Sequence, residues 1–474
     1  MKNNNFKNVV VVGAGPAGLG VAYELSKNGI RCEVFDKNKE VGGLARSFEF
    51  RGHVFDIGPH RFFTKNDEVL SFWKNILGDD FLKVKRLTRI YYKNKFFYYP
   101  IQFLDAFKNL GFFEGVRIFF SYIMWKIKFA YKIPKNFEEW MIKNFGRRLY
   151  EIFFKTYTEK VWGIPCNELG PEWATQRIKN LSLIAVIKNF FFRENKSKTL
   201  TDEFYYPKRG AGMLYEKMKV FIESNGSRVV LNSRVKNIYH KNNYIEALDV
   251  DIRGKIKRIK VDYLFSSAPI TFLVSILTPR VSDEIFGAAK DLYYRDHITV
   301  NLIAKKTTNI FQDQWIYVHD SRVKMARVSN YANFYDENLR DTVPLSVEYF
   351  CFREEDLWKM PDVDLIELAK KELDLVGLID FSCVSDGFVV READSYPTYY
   401  TGHGGQFLII KNYLSKFSNL QLIGRAGMYK YNNQDHALLT GFLAARNFMG
   451  EENDIWSINA EDEYLEVGEL NKYA

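Results

Sequence analysis

The sequence is poor in cysteine. Its four cysteines, Cys32, Cys166, Cys351 and Cys383, stand far apart with no Cys-x-x-Cys pair. That argues against a disulfide scaffold and a thiolate metal site, so no metal is expected, and it suits a reducing, cytoplasmic compartment. Long apolar runs are also missing: nothing reaches the roughly 18 uninterrupted apolar residues of a spanning helix. The opening, Met1-Lys2-Asn3-Asn4-Asn5, carries no secretory or twin-arginine pattern and reads as leading straight into a strand. Neither a Ser-His-Asp set nor a paired-carboxylate set is evident. No zinc finger, RNP motif or basic zipper is present, so nucleic acid is not an expected partner.

What is present points to a globular enzyme-sized chain. With 474 residues, 47% of them hydrophobic, it can bury a large core over roughly three domain-sized units. The 40 Phe and 29 Tyr are explained equally well by AT-rich coding or by functional enrichment. The 67 basic and 58 acidic side chains give a formal charge of +9, spread along the chain, which favours anionic partners such as phosphorylated small molecules. From Phe112 to Ile133, Arg117, Lys126, Lys128 and Lys132 punctuate aromatic and aliphatic residues. This stretch reads as a helix packed on its own domain or on another copy of the chain. A membrane-surface helix is the less favoured alternative. A homo-oligomer is expected.

The order of elements predicts an α/β chain. Residues 7–12 form a Val-rich strand, a helix runs through Ala22-Tyr23-Glu24-Leu25 to an Asn28-Gly29 stop, and Cys32-Glu33-Val34-Phe35 is the next strand. Segments 1–66, 200–265 and 418–450 together are expected to form a Rossmann-type domain. Residues 67–199 read as mainly helical, 266–417 as a sheet-rich substrate domain of mixed or antiparallel pairing, and 451–474 as an acidic tail. Helices are expected over 363–375 and 435–449, and a hairpin near Arg253-Gly254.

The turn Gly13-Ala14-Gly15-Pro16-Ala17-Gly18 joins the first strand to the first helix. Gly13 permits the bend, Gly15 lets backbone amides approach a pyrophosphate, and Gly18 lets helix and strand pack closely. Asp36, followed by Lys37, closes the second strand, where a carboxylate can hold ribose hydroxyls. Together these predict dinucleotide binding. A second glycine pair follows in Glu40-Val41-Gly42-Gly43-Leu44-Ala45-Arg46, and the far end supplies Ile423-Gly424-Arg425 and Asn433-Gln434-Asp435-His436 before a helix. Flavoproteins of the amine-oxidase and protoporphyrinogen-oxidase class cradle FAD with similar segments. The cofactor set is thus Gly13, Gly15, Pro16, Ala17, Gly18, Asp36, Lys37, Gly43, Leu44, Arg46, Pro59, His60, Val235, Gly424, Arg425, Asn433 and Gln434.

Four internal segments carry a narrower resemblance, to the UDP-galactopyranose mutases of the longer, eukaryotic-type branch. Asp56-Ile57-Gly58-Pro59-His60 resembles the loop whose histidine sits over the flavin, with Pro59 replacing a second glycine. Tyr98-Tyr99-Pro100-Ile101-Gln102 resembles a uracil-holding stretch, with Ile101 replacing an aromatic. Lys160-Val161-Trp162, with downstream Arg177, and Arg327-Val328-Ser329-Asn330-Tyr331 resemble the segments that bring two diphosphate arginines. Tyr396-Pro397-Thr398 and Lys430-Tyr431 match places where family tyrosines touch the diphosphate.

The resemblance implies FAD, active when reduced, and a nucleotide-sugar substrate interconverted between pyranose and furanose forms through an adduct at flavin N5. It also implies a place in polysaccharide biosynthesis. His60, Arg177 and Arg327 are the candidate catalytic residues; Tyr99, Gln102, Trp162, Arg177, Arg327, Tyr396 and Tyr431 are the candidate substrate contacts. Taken singly, the arginines could be surface ion-pair partners, His60 structural and Trp162 core. An FAD-dependent oxidoreductase of the oxidase or desaturase type is the alternative reading.

Overall fold

The structure, a computed structural model, describes residues 7–171, 173, 203–307, 310–335 and 341–458. Arg177 and most of the acidic tail lie outside them.

A five-stranded sheet forms the first layer, in the order Leu420–Leu422, Tyr263–Ser266, Val9–Val12, Cys32–Phe35, Arg228–Val230. Its strand pairs are all parallel. Val9–Val12 is buried at every position because both faces are covered. Val9 and Val11 meet helices, while Val10 and Val12 cluster with Val235, Ile238 and Leu248 of the antiparallel strands Ser233–Lys241 and Tyr244–Ile252. The helices Pro16–Lys27 and Gln434–Phe448, from opposite ends of the chain, pack on one another beside it. The first ends at Asn28 with Gly29 at φ +75°, and the other expected helix and hairpin stand at Asp362–Leu375 and around Arg253-Gly254.

A seven-stranded mixed sheet forms the second large layer, in the order Val384–Pro397, Tyr294–Lys305, Thr342–Cys351, Arg327–Asn330, Trp315–Val318, Thr88–Tyr92, Lys95–Tyr98. Its last two strands lie within 67–199, the stretch read as mainly helical, and were not anticipated there. Thr88–Tyr92 and Lys95–Tyr98 pair as a hairpin around Lys93-Asn94, both at positive φ, and the first docks in parallel on Trp315–Val318. Phe81–Lys85 is a further strand, paired with Glu203–Pro207. Aromatic residues suit helix and strand alike in a short apolar run, so tertiary pairing decided these segments.

Helices do dominate the region that follows. Phe137–Phe145 and Thr156–Trp162 bury Met141, Phe145 and Trp162 in an aromatic core. The helix Phe112–Lys128 packs on its own domain, as one of the two expected arrangements had it, but through one narrow face. Only Ile118 and Tyr122 of it are buried, whereas Phe113 and Phe120 are 82% and 65% exposed. Among the described residues, no helix is long and apolar enough to cross a membrane.

Candidate functional site

One cavity of about 760 Å³ runs from the glycine turn, along the carboxyl ends of the parallel strands, to the face of the large sheet. This volume lies within the roughly 300–1,000 Å³ of ordinary ligand sites. Gly13, Gly15, Pro16, Ala17, Gly43, Leu44, Gly424, Asn433 and Gln434 line it, so both chain ends build one wall. A Cβ at Gly18 would lie 1.8 Å from the Gly13 carbonyl oxygen, so only glycine lets the helix start this close to the strand. The helix begins at N-cap Gly15 with no side-chain cap and no acid in its first turn. Its partial positive charge is thereby left for a phosphate.

Asp36 lines the same wall with Lys37, Arg234 and Val235. Its carboxylate accepts the Ala14 amide at 2.6 Å and the Asn38 amide at 2.7 Å, which fixes the turn, while burial pushes its pKa up. Arg46 does not face the cavity. It donates to the Gly43 carbonyl at 2.7 Å and pairs with buried Glu392, so it braces the second glycine turn from behind. Gly18 likewise acts through packing, as its close approach requires.

Beyond the glycine turns lies the loop Ile57-Gly58-Pro59-His60. Its anchor is Asp56, wholly buried, which accepts from the Ser47 hydroxyl at 2.5 Å, the Tyr206 hydroxyl at 2.8 Å and the Ala211 amide at 3.2 Å. Gly58 sits at φ +76°, and a Cβ there would come within 2.6 Å of Glu348 Oε2. The loop thus crosses directly over the Arg327–Glu348 pair. His60 Nδ1 lies 3.1 Å from the Gly58 carbonyl oxygen. A carbonyl only accepts, so Nδ1 carries the proton and Nε2 remains an acceptor. Desolvation, reinforced by the Arg425 charge, lowers the His60 pKa to about 3, so the ring is neutral.

Arg327 and Glu348 oppose each other on adjacent antiparallel strands. Burial raises the Glu348 pKa, but the Arg327 charge and the hydrogen bonds from Arg327 and His297 outweigh it and hold the group at about 2. The ion pair therefore persists at any ordinary pH. Arg327 lines the cavity beside Trp315 and Tyr317.

The remaining wall is a tyrosine pair. Tyr396 and Tyr431 stack with centroids 5.6 Å apart and planes at 25°. The Arg425 guanidinium covers both rings, at 5.0 and 4.8 Å, and its Nε donates to the Asn432 carbonyl at 2.8 Å. Asn432 lines the cavity, is 1% exposed, and neither its amide oxygen nor its amide nitrogen has a hydrogen-bond partner among the described residues. Leaving such groups unpaired costs about 1–3 kcal/mol. A polar ligand in the cavity would complete them, so the residues present fit a bound dinucleotide.

Seven basic and four acidic side chains line the cavity, which suits an anionic occupant. Three residues expected to contact substrate do not line it. Trp162 is 1% exposed and packs edge-on against Trp173 at 4.5 Å, next to the tyrosine pair, so it is core. Gln102 is exposed, at the start of the helix Phe103–Leu110. Tyr99 packs on Tyr317 at 4.9 Å and beneath Arg86, one layer away. Lys160 donates to the carbonyls of Val318, Asp320 and Met325, pinning its helix to the sheet. Sequence reading missed Asn432, Trp315, Tyr317 and Glu348. Asn432 directly precedes a quoted motif, and Glu348 carries no local signal, since only strand pairing sets it opposite Arg327.

Residues 11–76 match the family of NAD(P)-binding Rossmann-like domains. A 180-residue stretch is 30% identical to a probable UDP-galactopyranose mutase of Klebsiella pneumoniae, covering 35% of this chain and 43% of that protein. The chain thus spans less than half the length of that relative. A 95-residue stretch is 34% identical to a 4,4'-diapophytoene desaturase of a Methylomonas species, covering 19% of each. A crystal structure of reduced UDP-galactopyranose mutase superposes with a TM-score of 0.82 at 21% identity, over 96% of both chains. The fold is that of this mutase.

Proposed function

We propose that the chain is an FAD-dependent mutase interconverting the pyranose and furanose forms of a nucleoside-diphosphate sugar. The observation that carries this reading is one continuous cavity. It joins a dinucleotide cradle to a cluster of Arg327, Tyr396, Tyr431 and neutral His60. The similarity to a mutase over 180 residues, well beyond the Rossmann-like segment, supports it.

Ring contraction on a sugar nucleotide requires displacement of the diphosphate, because the anomeric carbon cannot ring-open while that group remains attached. Reduced flavin, when bound, supplies a nucleophile for that carbon without net oxidation. The remaining tasks fall to this chain. Arg327 offers forked donors to the departing diphosphate, and its pairing with Glu348 fixes the fork in place. The Tyr396 and Tyr431 hydroxyls are further donors, from rings held rigid under Arg425. Arg177 is the second arginine that the reading assigns to the diphosphate. His60, uncharged, holds the loop against the cofactor wall and adds no competing cation.

The test is to incubate dithionite-reduced protein with a panel of nucleoside-diphosphate sugars and follow furanose formation by NMR. Interconversion that needs reduced flavin and consumes no oxygen is the expected result. Steady peroxide release with stoichiometric substrate oxidation would overturn it. The alternative, an FAD-dependent oxidoreductase, would then take its place, as the desaturase similarity suggests.

A further inference from the structure

The helix Phe112–Lys128 contributes nothing to the cavity, yet it is the most apolar exposed surface of the described chain. Phe113 is 82% exposed, Ile127 72%, and Phe112 and Phe120 65% each; Phe119 and Met124 are exposed as well. At about 100° per residue these side chains fall on one continuous arc of roughly 140°. Just past the helix, Tyr131 and Ile133 are also exposed and prolong the patch. An apolar surface of this extent marks an interaction site.

The cations are placed to match. On the same wheel Arg117 and Lys128 flank one edge of the arc, and Lys126 flanks the other. The Arg117 side chain is 72% exposed despite a 3.7 Å approach to Glu114. Glu114, the only acid of the helix, lies on the opposite side and is engaged by Arg148. A second copy docked by two-fold symmetry would set these cation rows against each other, with no acid between them. Anionic headgroups complement both rows at once.

We infer that this helix docks the protein in the plane of an anionic lipid bilayer. Its aromatic arc enters the headgroup–acyl boundary, and Arg117, Lys126 and Lys128 sit among the headgroups. The inference does not rest on the mutase reading.

Co-sedimentation of the full chain tests it, with vesicles of phosphatidylcholine alone and of equal parts phosphatidylcholine and phosphatidylglycerol. Binding to the mixed vesicles that weakens with added salt is expected. Lys126→Glu with Lys128→Glu lowers that binding about fivefold or more per cation. Phe113→Asp with Phe120→Asp lowers it roughly tenfold or more per ring. Both pairs of substitutions alter exposed residues and lower the melting temperature by only a few degrees, so the protein stays folded in the assay. Equal or absent binding to both vesicles overturns the inference. So does a dimer, detected by light scattering without lipid, that Phe113→Asp with Phe120→Asp dissociates while no vesicle binding is seen.

Discussion

Arg327 and Glu348 are direct cross-strand neighbours, and the guanidinium meets the two carboxylate oxygens at 2.5 Å each. Glu348 is 0% exposed and also bonds His297 Nε2 at 2.9 Å. Removing one partner of such a pair leaves a buried charge behind. Glu348→Ala is therefore expected to lower the unfolding free energy by about 3–5 kcal/mol in denaturant titration. Arg327→Lys keeps the charge and loses the fork. It should retain more of the fold and still weaken nucleotide-sugar binding, by about 2–5 kcal/mol in calorimetry, if the fork grips a desolvated phosphate. Unchanged affinity would remove Arg327 from the substrate site.

Gly18 makes a very tight approach behind the cavity wall, with a Cβ position 1.8 Å from the Gly13 carbonyl oxygen. Gly18→Ala must push the first helix off the strand. Overpacking of this kind costs about 1–3 kcal/mol. The helix shift also displaces the amides that face the cavity, so purified Gly18→Ala protein should carry much less flavin by absorbance than the parent.

Asn432 separates the demands of fold and ligand. Its buried amide has no partner among the described residues, so Asn432→Leu, of similar size, should stabilise the cofactor-free protein by about 1 kcal/mol. The same substitution should weaken cofactor retention. Thermal melts with and without bound cofactor measure both, and a loss of stability in the two forms alike would refute the assignment.

His319 sets an acid-side dependence. Desolvation, with the Lys160 charge, lowers its pKa to about 3, and its ring stacks on Tyr157 at 5.0 Å. The unfolded chain protonates this residue near its ordinary value of about 6.5, whereas the native protein does not until about pH 3. The unfolded state therefore binds the extra proton, and stability falls as pH drops from about 6.5 toward 3. In His319→Gln that contribution disappears. Its stability curve should be flatter than the parent's by up to about 1.4 kcal/mol per pH unit in this window.

The glycine-rich wall of the cavity was largely legible because it is built from local signals. Glycines at fixed spacing, an acid closing a strand and a strand running into a helix each act within a few residues of chain. The roles of Arg46 and Trp162 were not legible. An arginine beside a glycine pair and a tryptophan after a lysine look alike whether they face a ligand or brace the shell behind it, and only packing distinguishes the two. The strands Thr88–Tyr92 and Lys95–Tyr98 were not legible for a related reason, since their aromatics acquire strand character by pairing with each other and with Trp315–Val318, far along the chain.

The wall shared between Gly13–Gly18 and Gly424–Gln434 has a consequence for biogenesis. A nascent chain emerges from its N-terminal end, and the first βαβ unit can form early. Its glycine turn nevertheless faces half a cavity wall until residues up to Gln434 have been made. On the proposed reading, cofactor binding must therefore follow synthesis of the Gly424–Gln434 segment, and a chain cut upstream of Gly424 should retain much less cofactor than the full one.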